Sequence, residues 1–199
     1  MTRNATARLF VAVELPATVR EQLNGWARAA LSGLSSRTRI RVLDMELLHV
    51  TLCFLGSRPV AEVEPIAAQL SACDGCASEL SLGAPLWLPR RRPRALAVEV
   101  HDEDGALADL QRAVAGAMGE VGARGLVNNA GSTGDAHSRR RRFHPHVTVA
   151  RMPGGAAPRE RALSATPCVS FIPSELVLYR SWLSPDGASY EAIASHVIG

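Results

Sequence analysis

A His-Val-Thr triplet occurs twice in this chain, each time inside an apolar, strand-like segment. The first copy reads Leu48-His49-Val50-Thr51-Leu52-Cys53-Phe54-Leu55-Gly56, and the second reads His144-Pro145-His146-Val147-Thr148-Val149-Ala150-Arg151. One copy falls in each half of the sequence. That placement points to a duplication, with each of two similar lobes contributing one motif.

Strand geometry turns the repeat into chemistry. Side chains two apart in a strand project from one face of the sheet. His49 and Thr51 therefore share a face, as do His146 and Thr148, with the β-branched and aliphatic neighbours packed behind. Two such strands brought together supply two imidazoles and two hydroxyls. A neutral imidazole can take a proton from water while a protonated one gives a proton to a leaving oxygen. Histidine suits both roles because its ordinary pKa, about 6.5, lies near neutrality. Threonine hydroxyls can donate to non-bridging phosphate oxygens as charge builds there. Cyclic phosphodiester hydrolysis fits this set and needs neither metal nor cofactor. A zinc site on His144 and His146 is disfavoured, since Pro145 separates them and no carboxylate or third histidine follows closely.

The rest of the chain bounds this reading. At 199 residues it holds one sizeable domain or two lobes sharing a core. Hydrophobic residues at 47% and charged residues at 21% fit a soluble globular protein. Aromatics reach only 5%, so the core must be built mainly from Leu, Val and Ala. No lysine occurs, and all 22 basic residues are arginine. Arginines cluster at Arg90, Arg91, Arg92 and Arg94, and again at Arg139 to Arg142, where they can attract a polyanion or simply be solvated. No stretch resembles a secretory signal or a membrane span. A cytoplasmic protein with reduced thiols is expected. Cys73-Asp-Gly-Cys76 has redox or zinc spacing but lacks a second ligand pair, and reads as a turn.

Periodicity places the elements. Residues 9–15 read as a strand, and Val19, Leu23, Trp26, Ala27, Ala30 and Leu31 mark an amphipathic helix from Pro16 to about Leu34. Strands are expected at 39–43, 49–55, 80–88 (broken by Pro85), 94–100, 143–151, 176–181 and 190–198. Helices are expected at 59–72 and 106–121. Residues 122–142 are poor in apolar side chains and read as a long, mobile loop; 152–159 read as a Pro/Gly-rich turn. Short strands dominate and helices do not alternate with them singly, which favours an α+β fold with antiparallel sheets over a doubly wound one.

These segments resemble the RNA 2′,3′-cyclic phosphodiesterases, also called 2′-5′ RNA ligases, of the two-histidine phosphoesterase superfamily. Besides the two motifs, Arg8-Leu-Phe-Val-Ala-Val-Glu-Leu-Pro16 resembles the family's opening strand, and 176–181 with 187–193 its closing strands. The resemblance implies a bilobal domain with two antiparallel sheets and flanking helices, related by a pseudo-twofold, with the phosphate held between the sheets. It also implies hydrolysis of RNA 2′,3′-cyclic phosphate ends, or nucleoside 2′,3′-cyclic phosphates, to 2′-monoesters. His146 would activate water, and His49 would protonate the leaving 3′-oxygen. Thr51, Thr148 and Arg151 would hold the phosphate, and Phe54 would approach the base. Joining tRNA fragments through a 2′-5′ bond would be a side activity. A monomer without an obligatory protein partner is expected.

Phe54 and Arg151 each stand five residues after their histidine. Simple alternation puts them on the wrong face, so a twist or bulge must intervene. Two departures from the family are Val42, where a tryptophan is usual, and a longer, Arg-rich loop before the second motif. An enzyme of the same superfamily acting on ADP-ribose 1″,2″-cyclic phosphate or 2′-5′ oligoadenylate would carry the same motifs. A non-catalytic RNA-binding module is disfavoured by two intact His-Val-Thr copies.

Overall fold

The structure, a computed structural model, describes residues 5–32, 40–73, 75, 78–123, 126–127, 143–152, 162–184 and 187–198. In chain order its elements are β1 (Thr6–Glu14), α1 (Ala17–Leu31), β2 (Arg41–Val42), β3 (His49–Pro59), α2 (Val63–Ala68), β4 (Leu80–Leu88), β5 (Ala95–His101), α3 (Ala106–Glu120), β6 (Leu126–Val127), β7 (His146–Arg151), β8 (Ser170–Phe171), β9 (Glu175–Ser184) and β10 (Gly187–Val197).

The chain runs through one pattern twice. In the first half β1, α1 and the two-residue β2 lead to β3. In the second, β5, α3 and the two-residue β6 lead to β7. β1 pairs antiparallel with β3, and β5 with β7. β9 and β10 extend the first half outward, and β4 and β8 the second. The strand order β10-β9-β1-β3-β7-β5-β4-β8 thus reads as two matching halves joined between the motif strands. That join is a single residue pair, Val50 with Val147. Past it the two strands part, and the short strands take over their free edges. β2 pairs Val42 with Ala150 and Arg41 with Arg151, while β6 pairs Val127 with Cys53 and Leu126 with Phe54. Each short strand supplies backbone partners that the diverging neighbour no longer gives.

Burial follows from these neighbours. Leu9, Val11 and Val13 of β1, Val50 of β3, and Val147 and Val149 of β7 are wholly buried in the main core. The helices close that core with stripes at helical spacing: Val19, Leu23, Ala27 and Leu31 on α1, and Leu107, Leu110, Val114 and Met118 on α3. α1 rests on β7 and α3 on β3, so each helix covers the motif strand of the other half. A smaller cluster of Phe10, Ala12, Val177 and Tyr179 occupies the opposite face of the sheet.

The α+β class and the antiparallel pairing agree with the sequence reading. Several local details differ. The two expected sheets meet in one hydrogen-bonded path through Val50 and Val147. The helix expected at 59–72 is an α-helix only over Val63–Ala68, with 3-10 turns at Val60–Glu62 and Gln69–Ala72. Pro85 does not break β4: an extra residue between Leu82 and Pro85 absorbs it, and Pro85 pairs with Val98 alone, on an edge where its missing N–H costs no ladder bond. Residues 122–142 are not loop throughout, since β6 lies within them; Arg139 to Arg142, Cys76 and the turn at 153–159 lie outside the described residues. Among the described residues, no helix is long and apolar enough to cross a membrane.

The first turn of α3 shows how a connection is fixed. Its four leading N–H groups have no partner within the helix. Asp102, four residues upstream of Ala106, accepts from the N–H of Leu107 at 3.1 Å and of Ala108 at 2.9 Å. Replacing Asp102 with alanine removes both bonds. Urea unfolding of Asp102→Ala is expected to show a loss of about 1 kcal/mol with an unchanged slope; an unmoved midpoint contradicts this capping role.

Candidate active site

The Val50–Val147 pair fixes which way the motifs face. Both valines point into the main core, so His49 and Thr51 leave the sheet on the other side, together with His146 and Thr148. The antiparallel register sets His49 near Thr148 and Thr51 near His146. The two histidines thereby lie on a diagonal across the join, roughly 7–8 Å apart at the backbone. The rings sense each other, since the charge of His146 lowers the proton affinity of His49.

Each motif strand carries an extra residue at the same place, and β3 a second one at Leu55. In β3, Thr51 opposes Ala12 and Cys53 opposes Val11, leaving Leu52 unpaired against β1. In β7, Thr148 opposes Ala97 and Ala150 opposes Leu96, leaving Val149 unpaired against β5. Both bulges fall three residues after the histidine, and each resets the alternation. Phe54 then opposes Phe10, with ring centroids 5.9 Å apart on the histidine face. Arg151 opposes Ala95 on the same face, near enough for its charge to lower both histidines. The irregularity that the two odd offsets demanded is thus present in both strands.

The two rings are anchored alike. Nδ1 of His146 donates to the His144 carbonyl at 2.8 Å, leaving Nε2 for the open face. His49 makes the matching bond to the carbonyl two residues back, at Leu47, and its Nε2 lies 3.0 Å from the Thr51 hydroxyl. A bond of this kind selects the tautomer and the ring orientation together.

Their surroundings differ. Both tyrosines of the chain and two of its four phenylalanines gather about His49. Phe10 stacks on the ring at 4.9 Å, Tyr190 meets it edge-on at 5.4 Å, and Tyr179 stacks at 5.8 Å. Tyr179 in turn donates to Glu14 at 2.5 Å. On the strand beside β7, Ala95, Ala97 and Glu99 stand where β1 has Phe10, Ala12 and Glu14, so the ring of Phe10 has no counterpart there. Burial in this aromatic wall holds His49 well below the usual histidine range, at about 4; the charges of Arg151 and His146 act in the same direction, and the bond to Leu47 opposes them. Burial also lowers His146, with His144 and Arg151 adding to it and the bond to the His144 carbonyl opposing it. Burial and the Glu14 bond raise the Tyr179 phenol, which therefore stays protonated and donating.

All six residues expected from the sequence, His49, Thr51, Phe54, His146, Thr148 and Arg151, lie on this one face. The sequence reading missed Phe10, Tyr179, Tyr190 and Glu14. Phe10 and Glu14 are alternate residues of the opening strand, and their even spacing hinted at a shared face. The tyrosines sit more than a hundred residues away and become neighbours only through the β1–β9–β10 pairing.

A symmetric antiparallel sheet with one His-Val-Thr strand in each half defines a two-histidine phosphoesterase fold. Over 192 residues the chain is 31% identical to an RNA 2′,3′-cyclic phosphodiesterase of Geobacillus stearothermophilus; the match covers 94% of this chain and 55% of that protein, so the chain spans about half of its relative's length. The chain is thus similar in sequence to part of an RNA 2′,3′-cyclic phosphodiesterase and shares the fold of Escherichia coli LigT. The crystal structure of Escherichia coli LigT complexed with 3′-AMP matches with a TM-score of 0.74 at 20% identity, covering 98% of this chain and 99% of that one. A Thermus thermophilus protein matches at 0.73 and 24%, covering 96% and 97%. At such identities the two structures speak for the fold alone. No protein-family profile matches the chain.

Burial of His49 has a consequence for stability. Between pH 6.5 and 4 the unfolded chain carries a proton on this residue and the folded chain does not. The folded state therefore loses stability as pH falls through that window. Compared by urea unfolding at pH 7 and pH 4.5, the protein is expected to lose on the order of 2–3 kcal/mol more than a His49→Gln variant. An equal loss in both proteins contradicts a ring held neutral by burial.

Proposed function

We propose that the chain hydrolyses 2′,3′-cyclic phosphates at RNA ends to 2′-phosphomonoesters, without a metal, using His49 and His146 as an acid–base pair. The observation that carries this reading is the pair of imidazoles, each anchored through a backbone carbonyl two residues back, on one face of the sheet beside Arg151. Among the described residues, no three His, Cys, Asp or Glu side chains converge as a metal site would need. The Geobacillus relative is named for the same activity, and the LigT crystal with 3′-AMP holds a nucleotide.

In the proposed reaction the phosphodiester lies between the two Nε2 atoms. Arg151 and the hydroxyls of Thr51 and Thr148 hold its non-bridging oxygens, whose charge they offset as it grows. Nε2 of His146 takes a proton from water, and the water oxygen bonds to phosphorus. The bond from phosphorus to the 3′-oxygen breaks, and Nε2–H of His49 protonates that oxygen. The products are a 2′-monoester and a free 3′-hydroxyl. Exchange with solvent then restores each ring. The difference in surroundings favours this division of roles. The leaving ribose and its base need a platform, and the aromatic residues lie around His49, with Phe54 placed to stack on an unpaired base. The attacking water needs room, and on β5 the small Ala97 and Ala95 stand opposite Thr148 and Arg151, with Glu99 opposite His146.

Both rings are neutral at pH 7 in the free protein, so the diester anion must itself favour the added proton. The two halves act as one unit in this scheme, a monomer suffices, and 2′-5′ joining of RNA ends is the same displacement with a 5′-hydroxyl taking the place of water.

Either His49→Ala or His146→Ala is expected to cut turnover of a 2′,3′-cyclic nucleotide at least ~100-fold, assayed in excess chelator. Near-normal turnover in either variant rejects the pair, and activity restored only by added zinc or manganese rejects the metal-free scheme. A pH profile tests the protonation states. The reactive free protein holds one proton on the pair: above the higher pKa the acid is lost, and below the lower pKa the base is lost. Both values lie under 6.5, so kcat/KM should fall steadily as pH rises from 6.5 to 8.5. A profile flat over that range contradicts the assignment.

A further inference from the structure

We propose that the tip of the β4–β5 hairpin is the surface on which the RNA strand leaves the site. This inference rests on the proposed RNA-end chemistry and adds the path taken by the rest of the substrate.

The tip carries Arg90, Arg91, Arg92 and Arg94, all exposed. The acid–base chemistry uses none of them. Their place in the fold is set by β7. Arg151, the last residue of β7, is the partner of Ala95, the first residue of β5. Directly beyond, the N–H of Met152 donates to the Arg94 carbonyl at 2.8 Å. On the other edge of β7, Arg151 is the partner of Arg41. Arg41, Arg151 and Ala95 are thus register partners across three neighbouring strands, whose spacing is about 4.8 Å, and Arg94 is the next residue beyond Ala95, level with Met152. The row continues outward into the tip. At its other end the Arg41 guanidinium lies against the β9–β10 turn, where a Cβ on Gly187 would come within 2.5 Å of Nη1. That contact fastens Arg41 between the two halves, beside the place proposed for the phosphate.

The opposite end of β5 has the opposite sign. Glu99 is the partner of His146, and Asp102, Glu103 and Asp104 follow it into the turn before α3. A polyanion leaving past His146 meets carboxylates, and one leaving past Arg151 meets arginines. The ion pairs among the described residues, Arg58–Glu62 and Arg112–Asp109, include none of the arginines at 91, 92 and 94. Their charge is therefore not spent on carboxylates among the described residues, and it lies where a strand attached to the bound end must pass. Phosphate contacts of this kind add affinity without reading sequence.

The test compares a 2′,3′-cyclic mononucleotide with a single-stranded RNA of ten nucleotides bearing the same end, using the triple variant Arg91→Ser, Arg92→Ser, Arg94→Ser. For the mononucleotide, kcat and KM should stay within about twofold of the parent. For the RNA, KM should rise roughly tenfold or more at low salt with kcat unchanged. The dependence of log(kcat/KM) on log[salt] should flatten by up to about 2, as three lost contacts on a single strand require. An RNA KM and salt slope equal to the parent's overturn the proposal. Fluorescence anisotropy with a labelled RNA ending in a 2′-phosphate reads the same surface without turnover. If the parent hydrolyses neither substrate, the proposed reaction fails; the track then stands if the triple variant loses RNA affinity, and falls if parent and variant bind alike.

Discussion

Two valines hold the candidate site together. Val50 and Val147 form the one residue pair between the motif strands β3 and β7, and both are wholly buried. Because their side chains go to the core, the histidines and threonines on either side must emerge on the open face. A slip of one residue at this join would turn the motifs inward. The crossed helices guard the register: α1 covers β7 and α3 covers β3, so moving one half relative to the other would disturb both interfaces. The short strands β2 and β6 then let the motif strands diverge without leaving their backbone groups unpaired.

Onto this symmetric frame the sequence has placed unlike walls. Aromatic residues pack about His49, whereas the strand beside β7 carries Ala95 where β1 carries Phe10. The same backbone therefore offers one imidazole a dry, stacked setting and the other a more open one. Symmetry brings two equivalent groups to one point, and the side chains around them make the groups inequivalent. A reaction with distinct acid and base roles needs both features. Charge is divided as well, with arginines at one end of β5 and carboxylates at the other.

Much of this was legible in the chain before folding. The paired His-Val-Thr motifs, their strand character and the alternation inside them pointed to one face bearing two imidazoles. The helical stripes of α1 and α3 were also plain, because spacing is a local property. What was hidden depended on contacts across distance. The odd offsets of Phe54 and Arg151 required a bulge, but where the extra residue would sit could be seen only from the partner strands. Tyr179 and Tyr190 looked like ordinary strand residues, since nothing near them in sequence connects them to His49. β6, two residues long, was too short to show a period, and the expected helix at 59–72 carried apolar spacing that its 3-10 turns share. Pro85 suggested a break because the sequence alone did not reveal that β4 has an open edge there.

The central claim is that both imidazoles face a single phosphate. Histidine-selective ¹⁵N NMR during titration with a nucleoside 2′-monophosphate addresses it directly. Nε2 of His49 and of His146 should shift along one binding curve, and both rings should hold protons at higher pH in the complex than in the free protein. A response from only one ring, or two responses with different affinities, would contradict a shared phosphate.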